Sequence, residues 1–95
     1  MRICVTIEQQ PLEFIRRQPP ENRKRLRDAL RAVERGIVFP DPLEDPLEGF
    51  YKLKVEHFRL ILQSVASQAG PGFRVIFAER RKVVYEIFSQ ILGLE

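Results

Sequence analysis

The feature that most constrains the fold is the alternation of side chains in residues 50–63, F-Y-K-L-K-V-E-H-F-R-L-I-L-Q. Successive side chains of a β-strand point to opposite faces, so a two-residue turn at 56–57 makes this segment a hairpin that pairs Lys54 with Arg59. A slip of one residue would expose half of the apolar set, which fixes the register. One face then carries Tyr51, Leu53, Val55, Phe58, Leu60 and Leu62, and the other carries Lys52, Lys54, Arg59, Ile61 and Gln63.

The segments on either side of this hairpin predict an α+β fold. Alternating apolar residues indicate two further strands, over residues 2–7 and 73–78, the second with Phe73, Val75 and Phe77 on one face. Helical spacing of apolar residues indicates helices over 8–17, 21–35 and 82–92. We therefore expect an N-terminal strand and a helical hairpin packed on a mainly antiparallel sheet of about four strands, followed by a C-terminal helix.

Two connections complete this prediction. Residues 37–47 are rich in proline and acidic side chains, and they form either a solvated crossing loop or a cover for one edge of the sheet. Residues 64–72 contain Gly70, Pro71 and Gly72, which predict a flexible turn before the last strand.

The length of 95 residues allows one domain, spanning residues 1–95. No apolar run approaches the roughly 20 residues of a membrane span, and the N-terminus lacks the apolar core of a signal peptide. We therefore expect a cytoplasmic protein with no membrane partner. The lone cysteine, Cys4, excludes an internal disulfide, and its place between Ile3 and Val5 predicts a packed structural thiol.

Basic residues concentrate in the second half of the chain. Residues 50–95 carry seven Lys and Arg against four Asp and Glu, which accounts for the whole formal charge of +3. Lys54 facing Arg59 costs up to about 1 kcal/mol through like-charge repulsion, and a bound polyanion would reverse the sign of that cost. Alternating lysines also protect strand edges against aggregation, which is the alternative interpretation. The basic run at 80–82, with Tyr85 close behind, favours a phosphate site.

Other catalytic chemistry has no signature in the sequence. There is no Gly-rich phosphate loop, no cluster of metal ligands and no Ser-His-Asp set. We therefore expect neither a metal nor a cofactor.

Residues 47–62, L-E-G-F-Y-K-L-K-V-E-H-F-R-L-I-L, and 73–88, F-R-V-I-F-A-E-R-R-K-V-V-Y-E-I-F, resemble the RelE/ParE toxin superfamily of type II toxin–antitoxin systems. The shared pattern is a Leu-x-Gly step, alternating basic and apolar residues, a tight turn followed by an aromatic and an arginine, and later an arginine-rich segment that runs into Val-Tyr. The order of the predicted elements also agrees. The RelE-like branch is favoured.

The resemblance implies a toxin that cleaves mRNA on the ribosome without a metal, inhibits translation and is restrained by a cognate antitoxin. In such enzymes the ribose 2′-hydroxyl attacks the adjacent phosphorus and leaves a cyclic phosphate. Lys52 and Lys54 match strand lysines that take part in catalysis, and Arg59 matches an arginine that binds the phosphate. Arg81 matches an arginine that stabilises the transition state or protonates the leaving group, and Tyr85 matches a tyrosine that stacks on the nucleotide.

Arg80 and Lys82 flank Arg81 and are expected to bind substrate. Some nuclease members carry a histidine where Arg80 stands, and others use a glutamate base for which this sequence offers no clear position. Two further functions stay open: a ParE-like inhibitor of DNA gyrase, which shares the fold, and a non-catalytic RNA-binding member.

Overall fold

The chain forms five strands and three helices within residues 2–67 and 70–93, the residues that this computed structural model describes. The strands are β1 (Cys4–Ile7), β2 (Asp41–Pro42), β3 (Phe50–Val55), β4 (Phe58–Ser67) and β5 (Gly70–Arg80), and the helices are α1 (Gln9–Arg16), α2 (Pro20–Glu34) and α3 (Val84–Leu92). The sheet order is β1-β5-β4-β3-β2, with β1 parallel to β5 and the other pairs antiparallel. The predicted α+β fold is confirmed, with the two-residue β2 as an additional strand.

The central hairpin has the predicted register. Val55 pairs with Phe58, and Lys54 pairs with Arg59. The two-residue turn requires a positive φ, and Glu56 adopts it at 54°. The apolar side chains of the hairpin divide between two core clusters, because alternate residues point to opposite faces of the sheet.

The helical hairpin covers one face of the sheet. Leu26, Leu30 and Val33 of α2 are buried in one apolar cluster with Leu60 and Leu62 of β4. Burying each such side chain stabilises the fold by roughly 1.5–3 kcal/mol, so this face holds the larger core. The first two helices lie within a residue of their predicted bounds.

Helix α3 packs on the opposite face, where Val84 and Phe88 are buried against Ile61 and Phe77. It begins two residues later than predicted, because residues 81–83 form a turn at the end of β5. The last apolar residues of α3 lie outside this core and are exposed. In the described part of the chain, none of the helices is long and apolar enough to cross a membrane.

A β-bulge in β5 changes the faces of its side chains. Phe77 pairs with Ile61, whereas Val75 pairs with Leu62, so Ile76 is an extra residue in β5. The prediction that every second residue from 73 to 77 shares one face is therefore wrong. Phe77 packs with α3, while Val75 packs on the side of α1 and α2.

Strands β4 and β5 are also longer than predicted. β4 reaches Ser67 and β5 begins at Gly70, so most of the turn predicted for residues 64–72 is strand, and residues 68 and 69 lie outside the described residues. Close packing of β1 against β5 explains why residue 72 is a glycine. A Cβ atom there would lie 2.6 Å from the carbonyl oxygen of Cys4, so this glycine permits the close approach of β1.

Two further expectations concern the surface. Cys4 is exposed, and the prediction of a packed thiol is wrong, because the alternation that buries Ile3 turns its neighbour outward. The proline-rich connection covers a sheet edge, since β2 pairs with Tyr51 and Lys52 of β3. The residues just before β2 include the exposed side chain of Phe39.

Candidate functional site

Three charged residues stand in a row across three adjacent strands, on the face of the sheet where α3 packs. Lys54 of β3 is directly opposite Arg59 of β4, and Arg59 is directly opposite Glu79 of β5. Residues paired in this way point to the same face, with Cβ atoms about 4.5–5.5 Å apart. The bulge at Ile76 creates this row, because without the extra residue Ala78 would stand opposite Arg59.

Among the residues that the structure describes, Arg59 is the charged residue that is buried, with 8% of its surface exposed. Its Nη1 donates hydrogen bonds to the carbonyl oxygens of Glu56, at 2.9 Å, and Phe58, at 2.7 Å. Hydrogen bonds from a charged donor contribute about 1.5–3 kcal/mol each, which offsets much of the cost of removing the guanidinium from water. These bonds fix the plane of the guanidinium in the middle of the row.

Donors of Arg59 remain for a ligand. A guanidinium carries five N–H groups in a planar fork that matches the oxygens of a phosphate. Two of these five groups donate to the carbonyl oxygens of Glu56 and Phe58, and the others are available to the oxygens of a ligand.

Tyr85, in the first turn of α3, lies close enough to Arg59 for the guanidinium to act on its phenol. Burial raises the pKa of Tyr85 above its ordinary value of 10.0. The nearby guanidinium of Arg59 lowers this pKa by less than burial raises it, and the carboxylate of Asp41 raises it further. The phenol is therefore protonated at neutral pH, and its own proton can be donated to another acceptor.

Lys52 and Arg81 lie at two borders of this face. Lys52 is two residues before Lys54 and pairs with Ile61 on one side and Asp41 on the other. Arg81 lies in the turn after β5, and its backbone N–H donates to the carbonyl oxygen of His57 at 2.8 Å. This bond holds Arg81 at the end of the sheet, beside the turn of the central hairpin.

Arg80 and Lys82 have a different position. Arg80 is directly opposite Phe58, which places it on the face that α1 and α2 cover. Both cations are exposed and line a surface cleft of about 730 Å³ together with Arg17 and His57. The structure thus brings Lys52, Lys54, Arg59 and Tyr85 to one face, places Arg81 at its end, and puts Arg80 and Lys82 in a neighbouring cleft.

Glu79 is the residue of this face that the sequence did not reveal. It directly precedes the basic run, but its face depends on the bulge, which no residue type in β5 announces. Its Oε1 accepts a hydrogen bond from the backbone N–H of Arg80 at 2.9 Å, and its side chain is partly exposed. In the part of the chain that the structure describes, no group of three His, Cys, Asp or Glu residues could hold a metal ion.

Comparison with known proteins finds the same architecture in solved structures, although not in related sequences. No protein-family model matches the sequence, and no curated protein matches it. Solved structures do match. One is a mutant of the E. coli toxin RelE in the free state, with a TM-score of 0.69 and 18% identity, covering 98% of this chain and 97% of that one.

Two further structures agree. A chain of the toxin–antitoxin complex RelBE2 from Mycobacterium tuberculosis gives a TM-score of 0.66 at 14% identity, covering 85% of this chain and all of that chain. The YoeB/ParE toxin from Agrobacterium tumefaciens gives 0.61 at 16% identity, covering 82% and 98%. The protein therefore has the RelE/ParE toxin fold.

Proposed function

We propose that this protein is the toxin of a type II toxin–antitoxin module and that it cleaves mRNA in the cytoplasm, which inhibits translation. The observation that carries the proposal is the buried Arg59, which stands between Lys54 and Glu79 and lies beside Tyr85. A guanidinium held by protein carbonyls, with donors left over, is suited to a phosphodiester. The fold supports the toxin role, since toxins named RelE and YoeB/ParE share it.

The order of charges in the row suits transesterification without a metal. In-line attack of the ribose 2′-oxygen on phosphorus requires a proton acceptor on one side of the phosphate and a proton donor on the other. With the phosphate on Arg59, Glu79 takes the 2′-hydroxyl proton while the new P–O bond forms. The bond from phosphorus to the 5′-oxygen breaks, and that oxygen takes a proton from the ammonium of Lys54. The products are a 2′,3′-cyclic phosphate and a 5′-hydroxyl.

The other predicted residues have supporting roles in this mechanism. Lys52 and Arg81 stabilise the negative charge that develops on the phosphate oxygens. Tyr85 orients the guanidinium of Arg59 and offers an aromatic surface to the nucleotide. None of these steps uses a cofactor.

The test is expression of the protein in bacteria, followed by mapping of the 5′ ends of cleaved messages. Lys54→Ala should lower the cleavage rate about 100- to 1,000-fold, the effect of removing one group that stabilises the transition state. The matched control is Lys24→Ala, which removes an exposed lysine of α2 whose ion pair with Asp28 lies on the surface. Intact messages in growth-arrested cells would contradict the proposal. DNA breaks with inhibited gyrase would identify the ParE-like activity instead.

Ribosome dependence and the antitoxin require separate tests. A ribosome-dependent enzyme cleaves mRNA in programmed ribosomes and leaves the same free mRNA intact. An antitoxin partner is supported by the similar chain of the RelBE2 toxin–antitoxin complex. The product of an adjacent small reading frame should therefore co-purify with this protein and abolish its toxicity.

A further inference from the structure

A second cationic surface adjoins the row at the end of the sheet. We call it the strand-end cleft, and it is lined by Phe14, Arg17, His57, Glu79, Arg80 and Lys82, among others. Three parts of the fold supply these residues: the C-terminal end of α1, the turn of the central hairpin, and the end of β5 with the turn that follows. Arg81 also lines the cleft, so this arginine borders both the cleft and the face that carries Arg59.

The walls of the cleft are held in place by the fold. β1 pairs with β5 only as far as Val75, so the last residues of β5 extend past it. The side chain of Gln10 takes the place of a strand neighbour there. Its Nε2 donates to the carbonyl oxygen of Ala78 at 2.9 Å, and its Oε1 accepts from the N–H of Ala78 at 2.8 Å. These two bonds fix α1 against the end of β5.

The cleft combines positive charge with aromatic surface. Four cations line it, while Glu79 is a single carboxylate whose Oε1 is hydrogen-bonded to the N–H of Arg80. The rings of Phe14 and His57 both lie against Phe58, with centroid distances of 5.6 Å and 4.2 Å. Cations bind phosphates, and exposed aromatic rings and arginine planes stack on bases.

From this arrangement we infer that the strand-end cleft binds a nucleotide of single-stranded RNA next to the scissile phosphate. The inference rests on the proposed function and adds a second binding surface to it. The volume of about 730 Å³ falls within the roughly 300–1,000 Å³ of pockets that hold a small organic ligand, so one nucleotide fits. The strand passes over Arg81, from the phosphate on Arg59 to Arg80 and His57. An acidic peptide would use the cations but not the rings, which is why RNA is favoured.

The experiment measures binding of a 2′-O-methyl RNA hexamer, which lacks the attacking hydroxyl and cannot be cleaved. Fluorescence anisotropy over a series of salt concentrations gives both the affinity and its salt slope. The double variant R17A/R80A should bind at least about tenfold more weakly, and its salt slope should fall by about 0.7 for each lost phosphate contact. His57→Ala should weaken binding at least about fivefold through lost stacking, with little change in the salt slope.

Controls separate the cleft from general attraction and from the catalytic row. Lys24→Ala removes an exposed cation of α2 and should leave both affinity and salt slope within about twofold of the wild type. Arg17 and Arg80 are exposed, so their variants should keep the thermal midpoint of the wild type. Lys54→Ala should still bind the hexamer through the cleft while its cleavage of mRNA is lost.

Three outcomes overturn the inference. The wild type does not bind the hexamer, or the cleft variants bind it as tightly as the wild type does. In the third, a hexaglutamate peptide used as a second probe binds the cleft variants more weakly than the wild type, while RNA binding is unchanged. The third outcome would assign the cleft to an acidic protein partner. Binding of RNA through the cleft without any cleavage of messages would refute the proposed nuclease and leave the cleft as an RNA-binding surface.

Discussion

Replacing Glu79 with glutamine tests the proposed division of roles within the charged row. The amide oxygen of glutamine can still accept the 2.9 Å hydrogen bond from the N–H of Arg80, so the local backbone stays in place. The side chain is partly exposed, and the free energy of unfolding should change by no more than about 0.5 kcal/mol. What the variant loses is the ability to accept a proton from the 2′-hydroxyl.

The two kinetic constants should respond differently. A positioned general base contributes about 100- to 10,000-fold, so kcat should fall by that factor, equivalent to about 2.7–5.4 kcal/mol in the activation free energy. KM should stay constant or fall. Two unit charges about 5 Å apart interact by roughly 1 kcal/mol with the screening of water, so removing the carboxylate beside Arg59 favours the bound phosphate by up to about fivefold.

The assay is single-turnover cleavage of mRNA in programmed ribosomes, quantified by primer extension. Glu48→Gln provides the same change of charge at an exposed position in the loop before β3 and should cleave at the wild-type rate. A Glu79→Gln rate within about threefold of wild type would refute the role of Glu79 as proton acceptor. A fall in rate that follows a fall in the thermal midpoint would assign Glu79 to structure instead.

Two further predictions concern stability. Burial raises the pKa of Tyr85 in the folded protein, so the unfolded chain loses this phenol proton at a lower pH than the folded chain. The wild type should therefore be more stable than Tyr85→Phe below pH 10, and this difference in the free energy of unfolding should decline as the pH rises above 10. Urea unfolding at pH 8 and pH 10.5 measures this difference, and a difference that is independent of pH would contradict it. Gly72→Ala should cost about 1–3 kcal/mol in urea unfolding, because its Cβ would lie 2.6 Å from a backbone oxygen of Cys4. Ser64→Ala, at an exposed position of β4, is its control, and equal stability of the two variants would refute the close approach.

The parts of the fold that follow from side-chain period could be predicted from the sequence. The hairpin register was confirmed because its alternation leaves only one pairing that buries the apolar set. The apolar residues at helical spacing, followed by Gly36, likewise predict α2 close to its observed bounds. Gly72 was misleading, since glycine signals both turns and close backbone approach, and only the position of β1 distinguishes them.

The charged row could be predicted only in part. Lys54 and Arg59 belong to one hairpin, so local alternation places them together. The face on which Glu79 lies depends on the pairing between β4 and β5. The extra residue in β5 turns each later side chain of that strand to the opposite face of the sheet. Arg80 and Lys82 were grouped with Arg81 because they are adjacent in sequence, although adjacent residues near a strand end point in different directions.

Protection of a strand edge against aggregation can explain Lys54 on the cationic face, but it cannot explain Arg59. β2 pairs only with Tyr51 and Lys52, so Lys54 lies on a part of β3 whose outer edge is unpaired, and a lysine there would discourage aggregation by itself. Arg59 is different, because β4 is an interior strand with partners on both sides. Its buried guanidinium protects no edge and carries a desolvation cost that an apolar residue would avoid. The functional interpretation therefore depends on Arg59, and Lys54 gains its proposed role from standing opposite it.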